Sequence, residues 1–251
     1  AGATAPASLA GTVVQAVAEC LVGLIYVNAI KPGAPYIFGT WPFVSDLRTG
    51  AMSGGSPEQA LLSSACGQMA NFYDLNGGTG AGMCDSKVID FQAGYEKAYN
   101  LTLVGNAGTN LIYEAAGMHA SLLGICKETL VADNDIIAAA QRTMRGIDTS
   151  DDALNIETIR NVCVGGPGHY LGSDQTLHLM QRDYVYPSVG DRWSPNEWNE
   201  RGRPTYVDRA IKKTADILKN HHPKHISREV DDAIRAKFPI RLDRKDMGEV
   251  V

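Results

Sequence analysis

The chain of 251 residues has no Cys-x-x-Cys pair, and its five cysteines, Cys20, Cys66, Cys84, Cys126 and Cys163, stand singly in apolar surroundings. That pattern argues against a structural zinc site and reads as reduced core thiols in a cytoplasmic protein. Basic residues are not in excess: 23 Lys and Arg face 28 Asp and Glu, a net charge of −5. A nucleic-acid partner would demand a basic face, so none is expected. No apolar run is read as approaching the length of a membrane span, so no membrane partner is expected. The start, Ala1-Gly-Ala-Thr-Ala-Pro-Ala, has neither an initiator Met nor a basic segment and is not read as a secretory signal. The glycines of 77–82 lack both the G-x-G-x-x-G spacing and the Lys-Ser/Thr pair of a phosphate loop, which argues against nucleotide binding. His221, His222 and His225 follow a helix end and read as an exposed tail cluster, so no metal site is expected.

What is present is 44% hydrophobic residues, enough for one large core. The chain is organised around Gly77 to Glu96. Its glycines have the composition of a short buried strand that something approaches closely. Asp85, Lys87, Asp90, Gln92, Tyr95 and Glu96 then follow as the pattern turns helical. A strand that opens into a polar loop and a helix is where α/β enzymes keep their chemistry.

Before it, Ser8 caps a helix from Leu9 to Ala29 with Val13, Val17, Leu21, Leu24 and Val27 as its apolar stripe. Pro35 to Gly39 is a strand. Ser56-Pro57-Glu58 starts a helix to Tyr73, with Leu61, Leu62, Ala65, Met69 and Phe72 inward. After it come a helix over 92–104, a strand over 110–117 and a helix near Leu122. Further helices are expected over 130–145, from the cap at 148–152 to Cys163, over 174–182 and over 205–220.

Three strands thus alternate with helices, with long loops after strands and short ones after helices. That is the (β/α) barrel pattern, whose functional loops lie on the strands' C-terminal face. The fold class read here is α/β, the (β/α)8 TIM-barrel family. Residues 1–165 are read as the second half of the barrel, 166–222 as a capping helical segment and 223–251 as a peripheral charged helix. With three or four units and no Met, the chain reads as a piece of a longer one.

Several motifs together resemble the trimethylamine methyltransferase family. They are Ala1-Gly-Ala-Thr-Ala-Pro, Pro35-Tyr-Ile-Phe-Gly, Asp46-Leu-Arg-Thr-Gly50, Gly55-Ser-Pro-Glu58, Asp85-Ser-Lys87, Asp90-Phe-Gln-Ala-Gly-Tyr-Glu96 and Gly166-Pro-Gly-His-Tyr-Leu-Gly172. The resemblance runs in order to about residue 210 and implies the C-terminal half of a (β/α)8 enzyme. It implies transfer of a methyl group from a methylated amine to the Co(I) of a corrinoid (cobalamin) held by a separate cognate partner protein. The founding members carry pyrrolysine, which is not written in this chain. Members without it are associated with quaternary amines such as glycine betaine, so that substrate class moves ahead.

A quaternary ammonium has a neutral leaving group and needs no general acid. It needs a dry pocket that holds a cation and points one methyl at the nucleophile. Aromatic faces supply about 2 kcal/mol or more when desolvated. The substrate-binding candidates are therefore Tyr36, Phe38, Trp41 and Tyr113, with Phe43 nearby, and the carboxylates Asp46, Asp85 and Glu114. Glu114 lies within or just after an apolar strand, where a carboxylate must be paired or functional. Lys87 or Arg48 could bind a betaine's own carboxylate, and His169 lies in a turn that the family places at the top of the site. Gly78, Gly80 and Gly82 are read as space-makers for a bulky substrate or the corrin ring. Two other readings are weighed. One is a non-catalytic barrel that binds quaternary amines. The other is a half-barrel fragment, inactive without its N-terminal half, whose open strand edges would make it dimerise, aggregate or need that half; a homo-oligomer is compatible with either reading.

Overall fold

A computed structural model describes residues 1–222 and 225–247. Each of the first three βα units begins as its caps dictate. Ser8 caps α1 (Leu9–Ile30), which ends at Lys31 before Pro32-Gly33. Strand β1 (Phe38–Thr40) leads through a long loop to Ser56, which caps α2 (Pro57–Phe72) with Pro at its first position. Strand β2 (Gly77–Gly80) leads to Asp90, whose carboxylate caps α3 (Phe91–Asn106). Strand β3 (Leu111–Tyr113) follows, then a hairpin of β4 (Met118–His119) and β5 (Gly124–Ile125), then α4 (Lys127–Met144).

The three strands form one parallel sheet in the order β1-β2-β3. The register places Phe38 beside Gly77, Thr40 beside Thr79, and Thr79 beside Ile112, so these share a face. That face carries the helices. Phe38 packs with Val17 of α1 and Ala70 of α2. Ile112 packs with Leu101 and Val104 of α3 and Ala140 of α4. The other face, with Gly39, Gly78, Gly80, Leu111 and Tyr113, takes no part in either cluster. The two helix-packed clusters thus lie on one face of this α/β sheet.

The remaining elements are α5 (Asp151–Leu154), α6 (Ile156–Cys163), α7 (Asp174–Arg182), α8 (Pro195–Glu200), α9 (Tyr206–Asn220) and α10 (Arg228–Lys237), with a 3-10 turn at Arg244–Met247. Thr205 and Asp208 form a capping box on α9. The carboxylate of Asp135 accepts from the backbone N–H groups of Ser188, Val189 and Gly190, which docks the segment before α8 onto α4.

Four expectations are corrected. No helix forms near Leu122; Ala120 and Ser121 take left-handed backbone (φ +49° and +59°) and turn the chain into the β4–β5 hairpin. On α2, Leu61 and Phe72 face out (52% and 77% exposed), while Gln59, Leu62, Ser63, Cys66 and Ala70 face in. The helix lies so close to the sheet that a Cβ at Gly77 would stand 2.6 Å from that of Ala70, and small or polar residues fit there. The 148–163 helix is broken at Asn155 (φ +40°), which ends α5 and caps α6. Finally, α1 is long and apolar enough by length and composition to cross a membrane. Glu19 is its one charged residue, and its alanines and glycines conceal the run. Its inward face nevertheless packs on β1, with the Tyr36 hydroxyl donating to Cys20 O at 2.8 Å. Of the cysteines, Cys66 and Cys84 are buried, Cys20 and Cys126 half-buried and Cys163 exposed. Of the 223–251 tail, residues 223, 224 and 248–251 lie outside the described residues.

Candidate functional site

The C-terminal ends of the three strands deliver Trp41, Gly80 and Glu114 to one edge of the sheet. Trp41 continues the alternation from Gly39, and Tyr113 lies in register with Gly80. The two rings stack with centroids 5.1 Å apart and planes 5° from parallel, and Phe43 lies 5.5 Å from Trp41. Glycines make this possible. A Cβ on Gly78 would clash with the Tyr113 hydroxyl, one on Gly39 would lie 3.2 Å from it, and one on Gly80 would lie 3.2 Å from Trp41 Cζ3. Gly78 and Gly80 are thus space-makers, but the space is filled by the chain's own aromatic pair. Gly82 (φ +92°) serves a different contact: its Cβ would fall 2.8 Å from the backbone oxygen of Ala115. None of the three leaves an open cradle for a corrin ring in this arrangement. Gly78→Ala is expected to push Tyr113 off the stack at about 1–3 kcal/mol. Near-ultraviolet circular dichroism should change while the far-ultraviolet spectrum does not.

Glu114 directly follows Tyr113. Its φ is +58°, a left-handed backbone that a non-glycine residue holds only when its surroundings force it. Its Oε2 is buried and has no hydrogen-bond partner among the described residues. Burial raises the carboxyl's pKa from its ordinary value. A buried carboxylate oxygen without a donor is free to meet a cation, and Glu114 directly follows Tyr113 of the aromatic pair in the chain.

The other candidates are placed differently. Tyr36 and Phe38 pack into the helix-facing cluster with α1 and α2 rather than the opposite face. Asp46 turns on its own loop. It accepts from Arg48 Nη2 at 2.6 Å and from the N–H groups of Arg48 and Thr49, which lower its pKa. Asp85 is a staple. Its oxygens accept from Ser53 Oγ (2.5 Å), Ser121 Oγ (2.7 Å) and Gly55 N (3.2 Å), which joins the loops after all three strands. Its own N–H donates to Glu96 Oε2 at 2.7 Å, and Gln92 donates to Glu96 Oε1 at 2.8 Å. Lys87 does not pair with the Asp85 carboxylate; its Nζ donates to the backbone oxygen of Asp85 at 2.6 Å. His169 lies exposed on the turn after α6.

Two buried groups were not foreseen. His119 places Nδ1 3.3 Å from Cys84 Sγ and Nε2 2.7 Å from Thr129 Oγ1. Burial pushes the Cys84 thiol up to about 11, so it is not a thiolate. Lys97 of α3 and Asp133 of α4 form an ion pair at 2.5 Å inside the helix layer. The signal for it was available: Lys97 falls on the same helical face as Ala93, Leu101 and Val104.

A family profile described as trimethylamine methyltransferase (MTTB) matches residues 1–246. The chain belongs to this family. It is 34% identical over 249 residues to a glycine betaine methyltransferase of Desulfitobacterium hafniense, covering 99% of this chain and 51% of that protein. It is 36% identical over 230 residues to the trimethylamine methyltransferase MttB of Methanosarcina thermophila, covering 91% and 47%. It is 28% identical over 235 residues to a trimethylamine methyltransferase MttB of Desulfitobacterium hafniense, covering 94% and 47%. The chain spans about half the length of these curated relatives.

Proposed function

We propose that this chain forms part of a (β/α)8 methyltransferase that moves a methyl group from a methylated, quaternary amine to the corrinoid of a separate protein. The observation that carries this reading is the pairing of the Trp41–Tyr113 stack with the unpartnered carboxylate oxygen of Glu114 at the strand ends. Family membership and the names of the relatives support the reaction class. The one-sided helix layer supports the barrel.

The residues of this chain would act on the substrate alone. Trp41 and Tyr113 offer π-faces to the quaternary ammonium, and Glu114 offers the charge. The stacked rings would limit which methyl points away from them. No proton needs to move, because the departing amine is neutral. The reduced corrinoid, held by its own protein, would supply the nucleophile. Arg48 and Lys87 are the cations that a betaine's carboxylate could reach from the surrounding loops.

The test is methylation of Co(I) cobalamin by the complete protein across trimethylamine, tetramethylammonium and glycine betaine. Product is expected with a quaternary amine, and none with any methylated amine would sink the reading. Trp41→Ala should raise KM about tenfold with a smaller effect on kcat, since it removes binding shared by ground and transition states.

A further inference from the structure

An ionisable pair lies where the proposed chemistry has no use for it. Lys97 and Asp133 are 1% and 2% exposed, with Nζ and Oδ2 2.5 Å apart. Burial pushes the Asp133 carboxyl up, opposed by Lys97 and by a backbone N–H. A buried ion pair is poor value as a source of stability, because a well-packed apolar pair of similar volume is often as stable or more so. What the pair does hold is backbone. Asp133 Oδ2 also accepts from the Gly117 N–H at 2.7 Å.

Gly117 (φ +83°) ends a short segment that begins at Glu114 (φ +58°). Between them the Ala115 backbone presses onto Gly82, where no Cβ would fit. The segment 114–117 is therefore fixed from below by Gly82 and at its far end by Asp133. A strained φ persists where the surroundings over-determine it; here they include Gly82 against Ala115, Asp133 on the Gly117 N–H, and the Cys126 N–H, which donates to the Gly117 oxygen at 3.0 Å.

We propose that Asp133, held by Lys97, is a positioning residue for Glu114. Through the Gly117 N–H it keeps the turn that buries the Glu114 carboxylate at the end of β3. The geometric part of this inference stands alone; its consequence for substrate rests on the cation-binding reading given above.

Two double variants of the complete protein separate the anchor from the charges. K97M/D133N removes both charges but keeps an amide oxygen to accept from Gly117. K97M/D133L removes the acceptor as well. Both are expected to fold, which thermal unfolding checks. The first readout is the carboxyl titration of Glu114 by 13C NMR, its resonance assigned by loss in Glu114→Gln. The pair is not among the causes of the Glu114 shift, which is burial alone, so removing the charges should not move it. The titration should stay raised in the wild type and K97M/D133N and return to the ordinary value in K97M/D133L. The second readout is calorimetric affinity for tetramethylammonium, expected to hold within about twofold in K97M/D133N and to fall at least about tenfold in K97M/D133L.

Should the Leu variant not fold, K97M/D133A, whose methyl cannot accept a hydrogen bond, replaces it. Equal Glu114 titrations in the two double variants would overturn the proposal. A wild type that binds no quaternary amine would instead overturn the functional reading, and the NMR result would still decide the anchor.

Discussion

Glu114→Gln is expected to weaken quaternary-ammonium binding about thirtyfold, roughly 2 kcal/mol, without unfolding the protein. The amide keeps the volume and removes the charge that faces the cation. The left-handed backbone at 114 is held by its neighbours and tolerates the isosteric side chain. The pH dependence should separate the two. Burial raises the folded pKa of Glu114, so the protonated form is favoured in the folded state. Its contribution to stability is present at low pH and is lost as pH rises through that raised value. Cation binding runs the other way, because a quaternary amine favours the carboxylate. Affinity should therefore climb as pH rises through the same range, and binding should expel a proton from the fraction still protonated. Calorimetry in buffers of different ionisation enthalpy measures that proton. The Gln variant should show neither the climb nor the proton, and a wild-type affinity that is flat with pH would remove Glu114 from the cation site.

Lys97→Met alone should destabilise the protein by about 3–5 kcal/mol, the largest stability effect expected of any single substitution in the helix layer. Asp133 would keep its place, 2% exposed, with only the Gly117 N–H left to satisfy it. A carboxyl in that position takes up a proton on folding, so its folded pKa lies above its unfolded one. The sign follows: the variant should be closest to wild type at acid pH and fall further behind as pH rises above the ordinary carboxylate range. Urea unfolding at acid and neutral pH gives both quantities. K97M/D133N, with neither charge buried, should recover most of the loss. If Lys97→Met unfolds at the wild-type midpoint at neutral pH, the pair is not buried in solution as described here.

The contrast between what could and could not be read in advance follows from the range of the forces. Ser8 and Ser56-Pro57 mark helix starts because a cap satisfies backbone N–H groups within three residues of itself. The strand at Gly77–Gly80 was legible from composition and from the breaks on either side, whereas the strand expected over 110–117 forms only over Leu111–Tyr113, because Glu114 turns to left-handed backbone. The β4–β5 hairpin was not legible, since two consecutive left-handed residues at Ala120 and Ser121 depend on bonds from their N–H groups to Ser86 O and Cys84 O, more than thirty residues away. The inward face of α2 was misread for a related reason. Helix and sheet approach most closely at Gly77 and Ala70, and this sets the rotation of α2 that turns Leu62 inward and its neighbour Leu61 outward.

The candidate site divides the same way. Sequence by itself determined the alternation of strands and helices and the presence of aromatic and acidic residues at strand ends, because each is written in local spacing, and its motifs carried the resemblance to the family. Tertiary structure decided which of them meet. Asp46 and Asp85 carry the same carboxylate as Glu114, yet neighbouring N–H and O–H groups bind theirs, while Glu114 Oε2 is left without a donor. Gly78 has room for a substrate only until β3, brought alongside by register, lays Tyr113 across it. Burial and partnership are properties of the packed arrangement, so a residue's type names the chemistry it can do and its neighbours decide whether that chemistry is free to be used.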